Sequence, residues 1–556
     1  MVEPSPEPSP TQRPLPPSLE EQRDYYHGLP SCPKLVARSS TIPWSSQYDG
    51  WPIPKCLYVI GEHAIVDLWN DADSSLRRQI LQVVDKVHWT AIDVLRVGYD
   101  HDNKWTGEKF SRLVTILISV KTDSTSFEQG YDVVVACSRI LQSHNLDDVQ
   151  VEMKESEVSW AASTPPPAPL PTPAPAISTS SQATSSQLLQ FSSQPLRQPT
   201  HATVLLSEYL GLLIAPSDSP RHEGTKCLYL QCGAKVFALT CRHVVFTDLH
   251  PNTRYQHDDT TTPHTVMQPG NGTWAKHINS IPNVISSTKK HLDELEEMFN
   301  HGLWKGKAEQ PKLQTLIRVV QAKLDANEAW NERLAEWDNP SSRIFGHTTF
   351  SPAYSLGPIQ GSKEKRRRDW ALIELHQEKH ATPLTSLLNR IYIGTGRQEL
   401  VEEQSLEWTD LRESLVYDEH GVLVSGTIPE TEVLCPRSHT MDDERGIFVL
   451  KYGPATTLTT GITNRVKSIT RWLCSDGEYI SEEWCIVGHG RGFGRPAFSG
   501  EGDSGSCVFD TQGRIGGMLT GGLARKDTDN HDVSYVTPME WLLEDIRRHG
   551  YHAELL

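Results

Sequence analysis

The C-terminal half contains a string suited to nucleophilic catalysis, GDSGS at residues 502–506, which follows a glycine-rich loop and precedes an apolar run. A nucleophilic serine needs its Oγ exposed on a tight turn and backbone N–H groups directed at the developing oxyanion. The glycines Gly502 and Gly505 favour such a turn around Ser504. The string alone is only moderately specific, because an ordinary turn can contain the same residues.

Two further strings supply a base and a carboxylate. An apolar run at residues 236–240 leads into His243, and Asp369 opens a second apolar run at residues 371–375. A general base is best carried by a rigid element, and a carboxylate that accepts the imidazole Nδ1–H fixes the histidine tautomer. Taken singly, each residue has an ordinary structural alternative. Together, in the order His243, Asp369 and Ser504 at predicted strand boundaries, they predict a catalytic triad.

The elements that must position these residues are mostly strands. From residue 203 onward, short apolar runs alternate with glycine-containing turns, which indicates a β-rich domain over residues 201–550. The strands are predicted at residues 228–230, 236–240, 371–375, 447–451, 484–488, 507–509 and 515–519. Amphipathic stripes predict a helical hairpin inserted at residues 285–338, packed either on its own domain or on a partner helix.

These strings and their order resemble the trypsin-like serine proteases of the chymotrypsin fold, including the intracellular HtrA-like branch. The resemblance covers roughly residues 203–550. It implies a mainly β fold of two perpendicular six-stranded barrels with the triad in the cleft between them. It also implies that Ser504 attacks the scissile carbonyl, His243 transfers the proton and Asp369 orients the imidazole. The oxyanion hole would be formed by the N–H groups of Gly502 and Ser504.

The same resemblance bears on substrate binding. In the family pattern the residue six before the serine lies at the base of the S1 pocket, and here it is Phe498 rather than an aspartate. An apolar or shallow pocket is therefore expected rather than a preference for Lys or Arg. Thr520, Gly521 and Gly522 lie where the strand that pairs with substrate would run, and glycine suits a close backbone approach. A simple turn after Leu519 is the alternative.

One departure from the secreted members concerns activation. No Ile-Val-Gly-Gly-like sequence precedes the domain, and secreted members pair the resulting N-terminal amine with the aspartate before the serine, here Asp503. Asp503 must therefore find another partner, and activation by N-terminal cleavage is not expected. The long intervals between triad residues predict insertions that shut or regulate the cleft: the helical hairpin and an irregular segment near residues 396–432.

The N-terminal half has a different organisation. Residues 1–34 are rich in Pro, Ser and Glu and are predicted to be disordered. Residues 35–160 follow a β-α-β-β-α-β order, which predicts a small ferredoxin-like α+β domain with either a binding or a purely structural role. Residues 161–200 form a Pro/Ser/Thr-rich flexible linker.

Composition narrows the class of protein. The 556 residues have a net charge of −17, which argues against nucleic-acid binding, and the sequence has no apolar run of membrane-spanning length. The N-terminus has no secretory signal pattern, so the ten cysteines are expected to be mostly free thiols in an intracellular, cytoplasmic protein. The basic run at residues 363–368 predicts either a nuclear-import signal or a solvated loop. We expect neither a metal nor a cofactor.

Three functions follow from these patterns. The leading one is a serine endopeptidase that acts on protein or peptide substrates through an acyl-enzyme, with a protein partner engaged by the N-terminal domain or the helical insertion. The second is a catalytically closed protease-fold module that binds peptides or partners. The third is a protein that cleaves its own linker once and then stops.

Overall fold

The structure is a computed structural model. It describes residues 15–44, 54–99, 112–160, 204–258, 260–301, 310–358, 365–393, 417–418, 421–436, 445–474, 477–490 and 494–556. Within these ranges, none of the helices has the length and apolar character needed to cross a membrane.

The N-terminal region is an α+β unit. Its helices are α1 (Leu19–Asp24), α2 (Ile65–Asn70), α3 (Ser75–Val84) and α4 (Phe127–Ser143). Its strands are β1 (Lys34–Arg38), β2 (Lys55–Tyr58), β3 (Trp89–Tyr99), β4 (Leu113–Val120), β5 (Gln150–Glu155) and β6 (Glu157–Trp160).

A first group of strands follows residue 204. These are β7 (Leu213–Pro216), β8 (Gly224–Thr225), β9 (Leu228–Cys232), β10 (Lys235–Thr240), β11 (Tyr255–Gln256), β12 (Thr265–Met267), β13 (Ile344–Ser351), β14 (Leu356–Pro358), β15 (Lys365–Arg367), β16 (Ala371–Leu375), β17 (Arg390–Ile391), β18 (Tyr417–Asp418) and β19 (Gly421–Leu423). The helices among them are α5 (Arg242–Val245), α6 (Asn271–Asn300) and α7 (Gln310–Trp337).

The last group completes the chain. Its strands are β20 (Phe448–Gly453), β21 (Thr457–Thr463), β22 (Ser468–Cys474), β23 (Gly477–His489), β24 (Cys507–Asp510), β25 (Ile515–Ala524), β26 (Val533–Pro538) and β27 (Glu554–Leu555). Its helices are α8 (Glu430–Leu434) and α9 (Met539–Arg548).

Six strands of the last group close into a β-barrel, which is called the closed barrel below. Its antiparallel pairings run β20-β21-β23-β26-β25-β24 and return to β20. Closure leaves one face of every strand inside, which explains why these strands are buried along most of their length. One of the two predicted six-stranded barrels is therefore present.

The first group of strands differs from the other six-stranded barrel that the sequence predicts. Among the described residues its sheet is an open path of eight strands, β27-β9-β10-β16-β13-β12-β7-β8, with β11 paired to β13. The C-terminal strand β27 extends the edge of this sheet by pairing with β9. Within it, β9 and β10 form a hairpin whose turn contains Gly233 at φ +62°. A left-handed residue suits such a two-residue turn, and glycine adopts that conformation readily.

Two long helices occupy the predicted insertion. They begin at Asn271, earlier than the predicted boundary at residue 285, and end at Trp337. The two helices share a small apolar cluster, which comprises Leu292, Leu295, Leu313, Val320 and Leu324. At their base, Trp274, Trp330 and Trp337 join the main hydrophobic core. The apolar stripes are therefore used inside the chain itself.

The N-terminal unit does not have the predicted ferredoxin-like arrangement. That fold separates its parallel strands by an intervening strand, whereas β4 and β5 here are parallel direct neighbours joined by α4. Strand β2 pairs only with the end of β3, and β1 adds an extra strand beyond β5. The edge of β3 that β2 leaves open pairs with β22 of the C-terminal region. The strand order follows from this non-local pairing, which the β-α-β-β-α-β pattern cannot reveal.

The prediction of a disordered tail up to residue 34 is wrong for its described part. Helix α1 starts after Ser18, whose side chain accepts a hydrogen bond from the Glu21 N–H. The next residue pair, Tyr25 and Tyr26, is buried, and both hydroxyls bond to Glu152 on β5. These aromatic anchors offset the ordering entropy of the segment. Residues 1–14 and the predicted linker at 161–200 lie outside the described residues.

Candidate active site

The sheet brings the histidine and the aspartate together. Strand β10 ends at Thr240 and leads into the single helical turn α5, which carries His243. Asp369 lies two residues before β16, and β10 and β16 are antiparallel, with Thr240 opposite Ala371. Antiparallel pairing places the end of one strand beside the start of the next. The helical insertion therefore lengthens the sequence between His243 and Asp369 without separating them.

The three predicted triad residues form a continuous hydrogen-bonded chain. His243 Nδ1 lies 2.7 Å from Asp369 Oδ2, and the His243 backbone N–H donates to Asp369 Oδ1 at 3.1 Å. His243 Nε2 lies 2.7 Å from Ser504 Oγ. The carboxylate thus holds both the ring and the backbone of the histidine, which fixes the orientation of the imidazole toward the serine.

The serine turn is held across the interface between the two strand groups. The backbone N–H of Thr225 donates to Ser504 O at 2.7 Å, and the Thr225 hydroxyl donates to Gly502 O at 2.9 Å. Gly502 and Gly505 have φ values of +100° and +90°. A Cβ on Gly505 would lie 2.1 Å from Thr225 O. Both glycines are therefore required by backbone conformation, and Gly505 also by close packing.

The predicted oxyanion donors are placed consistently with that role. Among the described residues, no backbone carbonyl accepts the N–H of Gly502 or the N–H of Ser504. The N–H groups around them are used, since Asp503 donates to Gly500 O and Gly505 donates to Leu519 O. A turn that leaves two neighbouring donors without carbonyl partners suits a developing oxyanion.

Electrostatics favours an ionised Asp369. Burial alone would raise the pKa of this carboxyl, but the nearby charges of His243 and Arg367 outweigh burial and hold the pKa below its ordinary value. Arg367 Nη2 lies 3.7 Å from Asp369 Oδ2. An ionised Asp369 is the form that accepts the Nδ1–H of His243 and stabilises an imidazolium.

Apart from the exposed Lys365, the described part of the basic run at residues 363–368 is neither an exposed signal nor a solvated loop. Arg366 is fully buried and forms a bidentate pair with Glu430. Arg368 binds the Asp545 carboxylate with three hydrogen bonds of 3.0 Å. Because each arginine meets a carboxylate distant in sequence, the local charge pattern predicted the wrong environment.

The active site is covered. Ser504 has no exposed surface, and His243 and Asp369 are 4% and 3% exposed. Strand β6 pairs antiparallel with β25, with Gly521 opposite Trp160 and Gly522 opposite Ser159. The predicted substrate-pairing edge is therefore occupied by a segment of this chain. A Cβ on Gly521 would lie 2.6 Å from Ser159 O, so glycine permits this approach.

The other predicted substrate residues divide into two groups. The Thr520 carbonyl oxygen lies 3.1 Å from Ser504 Oγ, which places Thr520 directly beside that hydroxyl. Phe498 does not lie at the base of a substrate pocket as expected. Its ring lies in the apolar cluster inside the closed barrel, with Trp484 and Val536. The adjacent Ser499 faces the other way, with its hydroxyl 2.8 Å from His531 Nδ1.

His531 packs beside Gly522 and is a neighbour of this edge strand that the sequence analysis did not identify. A Cβ on Gly522 would lie 2.3 Å from His531 Cγ, so the His531 ring fills the space beside the edge strand. His531 Nε2 also lies 3.0 Å from the hydroxyl of Ser159 on β6. No sequence signal pointed to His531, because it lies in a loop before β26 and outside the three catalytic strings.

In the part of the chain that the structure describes, two groups of side chains have metal-ligand chemistry. Cys241, His243 and Asp369 form one, but its histidine and aspartate are already hydrogen-bonded to each other, and the histidine also contacts Ser504. Asp218, His250 and His264 form the other. There His250 Nδ1 accepts the Thr247 N–H, so Nε2 carries the proton that faces Asp218 at 3.2 Å. A hydrogen bond therefore accounts for the close approach of His250 to Asp218.

Comparison with known proteins gives a match to a protein family and distant likenesses to solved structures, two of which follow. Residues 429–549, which include Ser504 but neither His243 nor Asp369, match the family described as peptidase family S64. The crystal structure of Thermobifida fusca protease A is similar at 11% identity over 63% of this chain and 97% of that chain, with a TM-score of 0.28. Alpha-lytic protease homolog N4 is similar at 10% identity over 62% and 96%, with a TM-score of 0.26.

TM-scores this low add nothing to the strand pairings described above. No curated protein matches the chain in sequence. The family match supports a serine-protease-type function for this chain.

Proposed function

We propose that the chain is a serine endopeptidase in which His243, Asp369 and Ser504 form the catalytic triad. The carrying observation is the unbroken chain of 2.7 Å contacts from Asp369 Oδ2 through the imidazole to Ser504 Oγ. A neutral imidazole has one N–H and one free lone pair. Because Asp369 accepts the Nδ1–H, Nε2 carries the lone pair that takes the serine proton.

The proposed reaction follows from these positions. Ser504 Oγ attacks the carbonyl carbon of the scissile bond while its proton moves to His243 Nε2, and Asp369 stabilises the imidazolium. The N–H groups of Gly502 and Ser504 bind the oxyanion. His243 then returns the proton to the leaving amine, and water hydrolyses the acyl-enzyme by the same steps.

A fluorophosphonate probe tests this proposal. We expect the purified full chain to be labelled at Ser504, and we expect Ser504→Ala and His243→Ala to lose labelling by at least about 1000-fold. Ser506→Ala is the matched control, because its hydroxyl is two residues away and lies outside the triad. Labelling of Ser504→Ala at the wild-type level would overturn the assignment.

Self-processing is a second candidate that a specific observation favours. Strand β6 lies on the edge strand at Gly521–Ala524, next to the nucleophile, and the predicted linker starts directly after β6. A chain held on this edge as an antiparallel strand has the extended geometry of a bound peptide substrate. We therefore propose that the chain cuts itself near the start of residues 161–200 and that β6 then remains on the edge.

Intact masses separate the candidates. Self-processing predicts that the wild type is recovered as two fragments and Ser504→Ala as one chain. Identical masses for the two proteins would argue against it. A folded wild type that is neither labelled nor cut would instead favour the closed, peptide-binding module.

A further inference from the structure

The carboxylate next to the nucleophile is fully buried. Asp503 has no exposed surface, and its oxygens accept hydrogen bonds from the backbone N–H groups of Ala455 and Gly500 and from the Thr456 hydroxyl. These contacts tie the serine loop to the turn between β20 and β21. A buried carboxylate also requires a nearby positive charge, because an isolated buried charge is strongly unfavourable.

That positive charge comes from a lysine of the closed barrel. Lys451, in the closed-barrel strand β20, is also fully buried, and its Nζ lies 3.0 Å from Asp503 Oδ2. The same ammonium donates to the Thr456 hydroxyl and to the Thr457 carbonyl. Its donors are thus directed at the carboxylate and at the turn that the carboxylate binds.

The backbone makes room for this pair. A Cβ on Gly453 would lie 2.3 Å from Asp503 Oδ1, so any other residue there would displace the carboxylate. Thr457, whose carbonyl accepts from Lys451, has φ of +59°, an uncommon conformation for a residue with a branched side chain. Strain of this kind persists only where surrounding contacts impose it. The ion pair, the turn and the serine loop therefore form one fixed unit.

We infer that Lys451 is a positioning residue, which holds the serine loop in its oxyanion-binding conformation through Asp503 with an ammonium built into β20. The inference rests on the proposed serine-protease function. In this role an internal lysine replaces the newly cut N-terminal amine, which pairs with the corresponding aspartate in secreted trypsin-like proteases. The serine loop is accordingly assembled by folding alone, and any cleavage in the linker serves a different step.

The charges around Lys451 set the expected pH dependence. Asp503 on the serine loop and His531 before β26 are the titratable groups that interact with it. Burial lowers the pKa of Lys451 below its ordinary value, although Asp503 partly offsets that effect. Burial also lowers the pKa of His531 to about 4, so this histidine stays neutral at alkaline pH. Activity is therefore lost as the pH rises through the lowered pKa of Lys451.

The test compares Lys451→Met, Lys451→Arg and a control, Lys226→Met, in the full chain. Lys226 is also buried, but its ammonium contacts Tyr229 and Gln268 rather than the serine loop. For a small ester substrate we expect Lys451→Met to lower kcat about 100-fold or more with little change in KM, as for loss of an oxyanion donor. Lys451→Arg should retain more activity and move the alkaline limb upward, because arginine stays protonated.

Amide exchange gives a readout that is independent of catalysis. A peptide spanning residues 499–506 should exchange faster in Lys451→Met than in the wild type and in Lys226→Met. If the wild type proves inactive while this difference appears, the positioning role stands and the proposed function fails. Wild-type kcat and wild-type exchange in a folded Lys451→Met would overturn the inference.

A milder variant covers the case in which Lys451→Met does not fold. Thr456→Val removes the hydroxyl that bridges Asp503 and Lys451 while keeping the shape of the side chain. We expect kcat to fall about 10-fold or more, because both hydrogen bonds of this hydroxyl are made with charged groups. An unchanged kcat together with unchanged exchange of residues 499–506 would count against the inference.

Discussion

At the scale of single residues, the charge pattern of the sequence and the charge environment of the fold differ most around Asp369. Arg366 and Arg367 come from a run that the sequence presents as basic and solvated, yet both are buried. Arg367 also lies over the Trp472 ring, with 4.2 Å to its centroid. The run thus supplies positive charge beside the carboxylate of the proposed triad, where it favours the ionised Asp369.

Glu483 in the same buried group gives a pH-dependent stability prediction. Burial raises its pKa from 4.5 to about 7, although Arg366 and Arg367 act in the opposite direction. The native state therefore binds more protons than the unfolded state between these values, and the free energy of unfolding falls as pH rises from about 5 to 7. Glu483→Gln should remove this pH dependence, which changes the free energy of unfolding by about 1–3 kcal/mol over this pH range. Urea midpoints at pH 5 and pH 8 measure it, and equal slopes in both proteins would contradict the prediction.

At the scale of elements, β6 is the strand whose position differs most from the one that the sequence predicted. Its residues belong to the predicted N-terminal domain, but they pair with β25 of the closed barrel. Alternation along four residues indicates a strand without indicating its neighbour. This pairing occupies β25 at Gly521–Ala524, next to Thr520, and Ser504 has no exposed surface.

Weakening the β6 pairing should therefore open the site. The double variant Val158→Pro and Ser159→Pro removes two consecutive N–H donors, and since alternate residues face the neighbouring strand, one of them is lost from the β25 ladder. We expect fluorophosphonate labelling of Ser504 to become faster by about 10-fold or more. Val158→Ala with Ser159→Ala keeps both donors and should label at the wild-type rate. Equal rates for the two double variants would show that β6 does not limit access.

At the scale of the whole molecule, the N-terminal unit and the closed barrel share one sheet. Strand β3 pairs with β22, and the backbone N–H and hydroxyl of Ser31 both bond to Asp532, each at 2.7 Å. The Tyr535 hydroxyl of β26 contacts both oxygens of the buried Asp93 on β3 at 3.2 Å. Buried polar contacts of this kind make the two parts unfold together rather than separately.

Cooperative unfolding is thus a testable property of the full chain. We expect coincident urea transitions by far-ultraviolet circular dichroism and by tryptophan fluorescence. Tyr535→Phe should move both transitions to lower urea concentration. The free energy of unfolding should fall by about 1–3 kcal/mol, because the Asp93 carboxylate loses a buried hydrogen-bond donor. Two separate transitions, only one of which moves in the variant, would show that the two parts are independent.

The sequence by itself determined several strands of the fold and predicted the chemistry that we propose for the residues beside them. His243, Asp369 and Ser504 stand at the ends of strands whose alternating apolar residues are local features, so their boundaries could be predicted; β16 has the bounds expected of it. The glycines at 502 and 505 were also readable, because their positive φ values reflect a local requirement of the turn.

The tertiary structure alone decided what each buried group faces. Periodicity shows that a residue is buried but does not show its neighbour, since strand pairing and ion pairing join residues distant in the chain. For this reason Lys451 as the partner of Asp503, β6 on the substrate edge and Phe498 inside the barrel were not readable from the sequence. The proposed triad rests on residue types and an order that are specific in the sequence, whereas the cover and the support of these residues depend on contacts that only folding creates.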